Sequence, residues 1–202
     1  MTERRRFDLP ISLDVEGRRC VVLGGGREAT EKADRLLRAG AKVQLVASEL
    51  EPALEERAAR GELGWAARSW APSDLEGAFL VYVTEDERDR AREAWLLRST
   101  YGFLLCSIDD PPFCDFANPA LVRAGGAVIA ISTGGRAPAL AKRLREALEA
   151  ALATPDFAAF VDALAERRER APEGERGAEG KRSVEGLAID VRVTYPPWFR
   201  GG

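Results

Sequence analysis

An aspartate pair that follows an apolar run supplies the candidate carboxylates for acid-base chemistry. The run 104–108 leads directly into Asp109-Asp110-Pro111. Because the chain contains no histidine, acid-base chemistry falls to Asp, Glu, Lys, Tyr or Cys side chains. Asp109 is the candidate general base, and partial burial beside Asp110 would strengthen it as a base. The alternative is an ordinary turn, in which aspartate makes a local hydrogen bond before proline.

A glycine-rich turn forms a second candidate site. The apolar run 19–23 leads into three glycines, and Ala29 completes a Gly-x-Gly-x-x-Ala spacing. Such glycines let the N–H groups at a helix start face the pyrophosphate of a dinucleotide. The alternative is a tight strand-to-helix connection without a ligand. The candidate cofactor residues in this turn are Gly24, Gly25, Gly26, Arg27 and Glu28.

Three further residues are candidates for the same cofactor site. Ser48 and Glu49 follow the second predicted strand, about 20 residues after the glycines, where a ribose-binding acid is expected. Glu49 could equally begin the next helix. Thr84 follows a later strand and could contact the nicotinamide side, or it could cap a helix, as could Asp86. No Arg or Lys directly follows the second strand to receive a 2′-phosphate, so NAD is favoured over NADP.

A second glycine turn precedes the helix predicted from Pro138. Its backbone N–H groups and its arginine could bind an anion, which would suit a substrate with carboxylates. A capped helix start with a solvated basic face is the alternative. The candidate substrate residues are Ser132, Thr133, Gly134, Gly135 and Arg136.

The elements that must position these residues follow a βα rhythm. Short apolar runs alternate with amphipathic stretches from about Ile11 to Asp110, which predicts an α/β fold, a Rossmann-like doubly wound parallel sheet. Ligands bind at the carboxyl ends of the strands in such folds. Strands are predicted at 20–23, 42–46, 63–67, 79–83 and 103–107, and helices at 28–39, 52–60 and 86–98.

The rhythm changes after Pro111. Strand-like runs at 116–123 and 127–132 are followed by two helices, from 138 to about 152 and from 155 to about 170, which predicts a small α+β domain. Residues 171–184 have almost no apolar content and are expected to form a mobile linker. Residues 187–195 alternate well enough for a strand, with a loose tail as the alternative. The expected divisions are 1–112, 113–170 and 171–202.

Composition narrows the function classes. A formal net charge of -3, with both signs interspersed, leaves no electrostatic footprint for nucleic acid. No run of about 18 apolar residues suggests a membrane span, and the N-terminus lacks a signal-peptide pattern, so we expect a cytoplasmic protein. Three cysteines without paired spacing (Cys20, Cys106 and Cys114) indicate reduced thiols.

A series of motifs agrees in order and spacing with one known family. They are Leu9-Pro10-Ile11, Val22-Leu23-Gly24-Gly25-Gly26, Glu31-Lys32-Ala33, 78–84, Ile108-Asp109-Asp110-Pro111, Phe116-x-x-Pro119-Ala120 and 129–142. Over about residues 7–160 the chain resembles precorrin-2 dehydrogenase, the N-terminal module of siroheme synthase and its stand-alone relatives. The run 131–142 is the most specific part of this resemblance.

The resemblance implies NAD-dependent oxidation of precorrin-2 to sirohydrochlorin, in siroheme or cobalamin biosynthesis. It implies an intertwined homodimer, with dimer contacts from the second domain, and Asp109 as the base for the proton lost alongside the hydride. The polycarboxylate tetrapyrrole would give Arg136 its role. Some members also insert Fe²⁺ into the product; no residue is assigned as a metal ligand here, and chelation stays open. Residues 171–202 do not match the family, and no methyltransferase domain follows, so another polypeptide is expected to make precorrin-2.

Two other functions remain open at this point. One is a non-catalytic, NAD-sensing dimeric module, which would bind cofactor but no tetrapyrrole. The other is a chelatase without redox activity, which would insert metal without NAD.

Overall fold

The computed structural model describes Phe7, residues 9–190 and residues 192–196. The strands are β1 (Arg19–Leu23), β2 (Lys42–Ala47), β3 (Gly64–Ala67), β4 (Leu80–Val83), β5 (Leu104–Ser107), β6 (Ala120–Ala124) and β7 (Ala127–Ile131). The α-helices are α1 (Arg27–Arg38), α2 (Pro52–Ala59), α3 (Ala91–Tyr101), α4 (Pro138–Leu152), α5 (Pro155–Arg170) and α6 (Arg176–Ser183).

The first five strands form one parallel sheet in the order β3-β2-β1-β4-β5. The chain runs outward from β1 in one direction and then returns to its other side with β4. This reversal leaves a crevice at the carboxyl ends of β1 and β4, which is where doubly wound folds bind ligands. The predicted Rossmann-like fold class is confirmed, and the small second sheet pairs β6 with β7.

The central strand β1 is buried on both faces, which explains its continuous apolar run. Cys20 and Val22 lie in the core that contains residues of α1 and α2, whereas Val21 and Leu23 lie in the core that contains residues of α3. These four residues are 0% exposed. Helices on both faces therefore enclose the strand that carries the glycine turn.

Two predicted elements of the sheet region have different bounds in the structure. The predicted helix 86–98 is a 3-10 helix over Glu85–Arg90 followed by α3, which ends at the left-handed Gly102. The predicted strand 116–123 begins only at Ala120, as β6. Phe116 instead packs edge-on against Tyr82, with ring centroids 5.6 Å apart, and Pro119 has no N–H to donate to a strand ladder.

The chain divides into two compact units, residues 1–120 with 132–141, and residues 121–131 with 142–202. In the second unit the expected linker 171–184 is wrong, because the structure has α6 over most of it. Glu179 of α6 forms an ion pair of 2.8 Å with Arg167 of α5 and accepts hydrogen bonds from Arg182 and Ser183. These bonds lower the pKa of the Glu179 carboxyl to about 2. Charge pairing therefore holds a helix that apolar content does not predict.

The described residues after α6 form no strand, in 187–190 or in 192–196. The strand alternative for 187–195 is therefore not observed there, and residue 191 lies outside the described residues. Among the residues described, the helices lack the length and apolar content that a membrane span requires.

We predict that Leu54→Ala lowers the free energy of unfolding by about 2–5 kcal/mol, because it leaves a cavity in the core beside α1 and α2. Leu54 lies in α2 and is 0% exposed. The matched control is Leu96→Ala in α3, where the side chain is 64% exposed, and we expect a change below about 0.5 kcal/mol. Urea denaturation measures both; equal losses would contradict the packing described.

Candidate functional site

The turn after β1 is held between the ends of β2 and β4. Gly24 has φ +117, and a Cβ atom there would overlap Oγ1 of Thr84. Thr84 is 1% exposed and donates its hydroxyl hydrogen to the carbonyl oxygen of Leu23, at 2.9 Å. A Cβ atom at Gly25 would overlap the carbonyl oxygen of Glu49. The first two glycines are therefore required by neighbouring strand ends, as expected of a dinucleotide-binding turn.

A carboxylate accepts a hydrogen bond from a backbone amide at the start of α1. Gly26 is the N-cap of α1, and its N–H donates to Oδ2 of Asp86, at 3.1 Å. Helix N-termini attract negative charge because their N–H groups are unpaired and the helix dipole is positive there. The helix start therefore fits an anionic group such as a pyrophosphate. A phosphate oxygen at this amide would take the place of the Asp86 carboxylate.

The sequence pattern does not identify Asp86 as a residue of the cofactor site. An acidic residue shortly after a strand is equally consistent with a helix cap. The structure shows that its carboxylate reaches a different helix, α1, by crossing from β4 to β1. Thr84 is the N-cap of the 3-10 segment, but its side chain makes no capping hydrogen bond. The available signal is position: Asp86 follows the strand beside the switch point of the sheet.

The other predicted cofactor residues lie around this turn. Glu28 accepts a hydrogen bond of 2.9 Å from the N–H of Glu85, which ties the first turn of α1 to the segment after β4. Arg27 is exposed at the start of α1, and Ser48 and Glu49 are exposed directly after β2. The loops after β1, β2 and β4 thus meet at one edge of the sheet.

Asp109 lies just beyond β5 in a strained backbone conformation. Its φ of 56 is the only positive φ of a non-glycine residue in the described part of the chain. Such a conformation costs roughly 1–3 kcal/mol and persists where neighbours enforce it. Ile108 donates its N–H to Val83 at 2.9 Å and accepts from the Arg88 guanidinium at 3.2 Å. The expected partial burial of Asp109 is wrong, because the residue is exposed.

The sheet brings Asp109 and the glycine turn to the same edge. Strand β4 lies between β1 and β5, so the carboxyl ends of β1 and β5 are two strand spacings apart, about 10 Å. An extended ligand that rests on the glycine turn can therefore reach across β4 toward the exposed carboxylate.

Side-chain hydroxyls hold the second glycine turn in shape just before α4. Gly134 and Gly135 have φ of 59 and 72. Ser132 Oγ accepts from the N–H of Gly134, and Thr133 Oγ1 accepts from the N–H of Ala137 just before α4, both at 3.2 Å. Residues 132–141 group with the unit that contains the parallel sheet, and the residue Arg136 is exposed. These hydrogen bonds fix the shape of the turn just before α4 and leave the anion-binding and capping interpretations both as predictions.

Comparison with known proteins places the chain in a class that this geometry already suggests. A family model described as NAD(P)-binding matches residues 11–120, and the chain belongs to that family. A second model, described as the central part of a sirohaem biosynthesis protein, matches residues 129–151.

Relatives and a solved structure are similar to parts of the chain. Siroheme synthase 1 of Serratia proteamaculans is 38% identical over 144 residues, which cover 71% of this chain and 30% of the relative. Siroheme synthase 1 of Pectobacterium atrosepticum is 40% identical over the same length, with 71% and 30% covered. The chain thus spans about 30% of the length of these relatives. Among solved structures, SirC, precorrin-2 dehydrogenase, shares the fold with a TM-score of 0.70 at 22% identity, and 89% of each chain is covered.

We predict that Asp86→Asn strengthens NAD binding by about three- to tenfold. The amide oxygen of asparagine can still accept from Gly26, but it no longer repels the pyrophosphate, and about 1.4 kcal/mol corresponds to tenfold. Isothermal titration calorimetry with NAD measures the dissociation constant.

The matched control is Asp89→Asn, which removes an exposed carboxylate from the same 3-10 helix. NAD binding should stay within about twofold of the wild type there, because the N–H of Gly26 donates to Asp86 and not to Asp89. Unchanged or weaker binding by Asp86→Asn would contradict competition between the carboxylate and the pyrophosphate.

Proposed function

We propose that the chain is an NAD-dependent dehydrogenase that oxidises precorrin-2 to sirohydrochlorin in siroheme or cobalamin biosynthesis. The names of the relatives support this substrate, and the NAD(P)-binding family supports the cofactor. The observation that carries the proposal is Asp109: an exposed carboxylate in left-handed backbone, two strands from the glycine turn.

Gly24, Gly25 and Gly26 would hold the cofactor pyrophosphate, with Glu49 beside the ribose. A carboxylate at that position accepts a hydrogen bond from a ribose hydroxyl and repels a 2′-phosphate, which favours NAD over NADP. When bound, the nicotinamide ring supplies the hydride acceptor. The loops after β1, β2 and β4 would hold the cofactor at the edge of the sheet that also carries Asp109.

Asp109 acts as the general base in this proposal. Dehydrogenation of a carbon-carbon bond removes a hydride from one carbon and a proton from its neighbour, and the Asp109 carboxylate accepts that proton. Exposure lets it meet a large substrate that does not enter a closed pocket. The bonds of Ile108 to Val83 and Arg88 keep the carboxylate at the sheet edge.

The second glycine turn would bind substrate carboxylates. Precorrin-2 is a polycarboxylate, and arginine is well suited to bidentate pairing with a carboxylate. Arg136 supplies the guanidinium, and Ser132, Thr133, Gly134 and Gly135 supply polar groups at the start of α4. Thr133 and Ser132 meanwhile keep the turn in shape through their hydrogen bonds.

The test is the variant Asp109→Asn, which keeps the size of the side chain and removes its basicity. We expect precorrin-2-dependent NADH formation to fall by about 10²–10⁴-fold, the usual contribution of a positioned base, with the NAD dissociation constant unchanged. Anaerobic absorbance at the NADH band measures the rate.

The neighbouring variant Asp110→Asn is the control, and we expect its rate to stay within about fivefold of the wild type. Normal turnover by Asp109→Asn would remove Asp109 as the base. Cofactor binding without any turnover by the wild type would instead favour an NAD-sensing module.

We also propose that the chain works as a homodimer, with residues 113–170 supplying the dimer contacts. Val128 of β7 is 53% exposed and Leu144 of α4 is 40% exposed, and both belong to the second compact unit. Apolar side chains of strands and helices that remain exposed in one chain are often covered by a partner.

We predict that Val128→Glu weakens dimer formation by at least about tenfold, because a charge would be buried in the interface. Sedimentation velocity over a concentration series measures it. The control is Val193→Glu, a residue that is 62% exposed in the described tail, and it should leave the dimer intact. A monomeric wild type would contradict the proposal.

A further inference from the structure

Two buried thiols flank the segment 107–113, which contains Asp109 and is called the Asp109 loop. Cys106 belongs to β5 and Cys114 follows the short 3-10 helix after it, and their Sγ atoms are 3.9 Å apart. The residues are 4% and 5% exposed. Asn118 contacts the Cys106 sulfur at 3.5 Å, and the Cys114 thiol donates to the carbonyl oxygen of Ser107 at 3.0 Å.

The backbone holds the two residues directly opposite each other. Cys106 and Cys114 form an isolated antiparallel bridge, and the N–H of Asp115 donates to Leu105 at 2.7 Å, one residue outside the pair. Two facing residues form a non-hydrogen-bonded pair when the hydrogen bonds between the strands join the residues on either side of them. The Cα atoms of such a pair are about 4.5 Å apart. Disulfides span Cα distances of about 4.4–6.8 Å, so rotation about the side-chain bonds suffices to bring the sulfurs together.

The segment between the two cysteines carries the exposed carboxylate. Residues 107–113 include Asp109, whose φ of 56 is strained, and Asp110. A covalent bond between residues 106 and 114 would close this segment into a small ring. The ring would restrict the conformations of the segment on which Asp109 is placed.

We propose that Cys106 and Cys114 form a reversible disulfide when the protein meets a peroxide, and that this bond constrains the Asp109 loop. The Cys114 sulfur attacks one peroxide oxygen, the O–O bond breaks, and sulfenic acid and water form. The Cys106 sulfur then attacks the sulfenic sulfur and releases a second water. Two thiols and one hydrogen peroxide thus give one disulfide and two waters, so the thiols lose two electrons and the peroxide gains them.

The order of attack follows from the surroundings of the two sulfurs. The hydrogen bond with Cys114, together with burial, raises the pKa of the Cys106 thiol. Cys106 therefore keeps its proton, and Cys114, which directly follows the 3-10 helix Pro111–Phe113, reacts first. Pro111 and Pro112 are exposed on that side, so local opening of the loop admits a molecule as small as hydrogen peroxide.

The test treats the reduced full-length protein with hydrogen peroxide, alkylates the remaining thiols under denaturing conditions and maps the peptides by mass spectrometry. We expect a crosslinked Cys106–Cys114 peptide that dithiothreitol reverses, with Cys20 alkylated. Cys20 is the internal control, because burial also raises its pKa, to about 11, but it does not share the Cys106–Cys114 bridge. Sulfinic or sulfonic acid without the crosslink, or a crosslink only between chains, would overturn the proposal.

The effect on the loop is measured as precorrin-2-dependent NADH formation, and this part rests on the proposed function. We expect oxidation to lower the rate by about tenfold or more, since a misplacement of about 1 Å can cost a hundredfold, and reduction to restore it. Cys106→Ser and Cys114→Ser should each resist this reversible loss, while Cys20→Ser should keep it. Full activity of the crosslinked protein would overturn the constraint on the loop. If the reduced wild type forms no NADH, the proposed function fails, whereas the peptide map still decides the disulfide.

Discussion

The close approach of the glycine turn to its neighbouring strand ends is the constraint on which the candidate site depends. Gly24 has no room for a Cβ atom beside Thr84, and Gly25 has none beside the carbonyl of Glu49. This contact exists only because a parallel sheet brings the carboxyl ends of β2, β1 and β4 side by side. Once the backbone lies this close, the start of α1 is exposed to any anion that enters the crevice.

Electrostatics at that helix start then connects the resting structure to the proposed chemistry. Asp86 satisfies the N–H of Gly26, so the positive end of α1 is partnered before any ligand binds. In the proposed function, the cofactor pyrophosphate would exchange with the Asp86 carboxylate on this amide. The carboxylate proposed as the base lies apart from this amide, because Asp109 follows β5, two strand spacings from β1, and the residue is exposed.

The parts that the sequence predicts best are those where one physical demand dominates. The run 19–23 is apolar because β1 is buried on both faces, and the glycines follow because other strand ends crowd them. The parallel sheet, and the position of Asp109 at the carboxyl end of one of its strands, follow from the βα rhythm. Properties that depend on contacts distant in sequence were harder to predict. Asp86 bonds to an amide 60 residues earlier, and Glu179 pairs with Arg167 of the preceding helix, and a local sequence pattern shows neither contact. The exposure of Asp109 likewise depends on how the rest of the chain packs around it.

The most direct test of the central claim is a crystal structure of the chain with NAD bound. We predict a phosphate oxygen within hydrogen-bond distance of the Gly26 N–H, the Asp86 carboxylate displaced from it, and the nicotinamide ring toward the β5 end of the sheet, facing Asp109. A pyrophosphate bound elsewhere, with Asp86 still on the Gly26 amide, would contradict the assignment of this turn as the cofactor site.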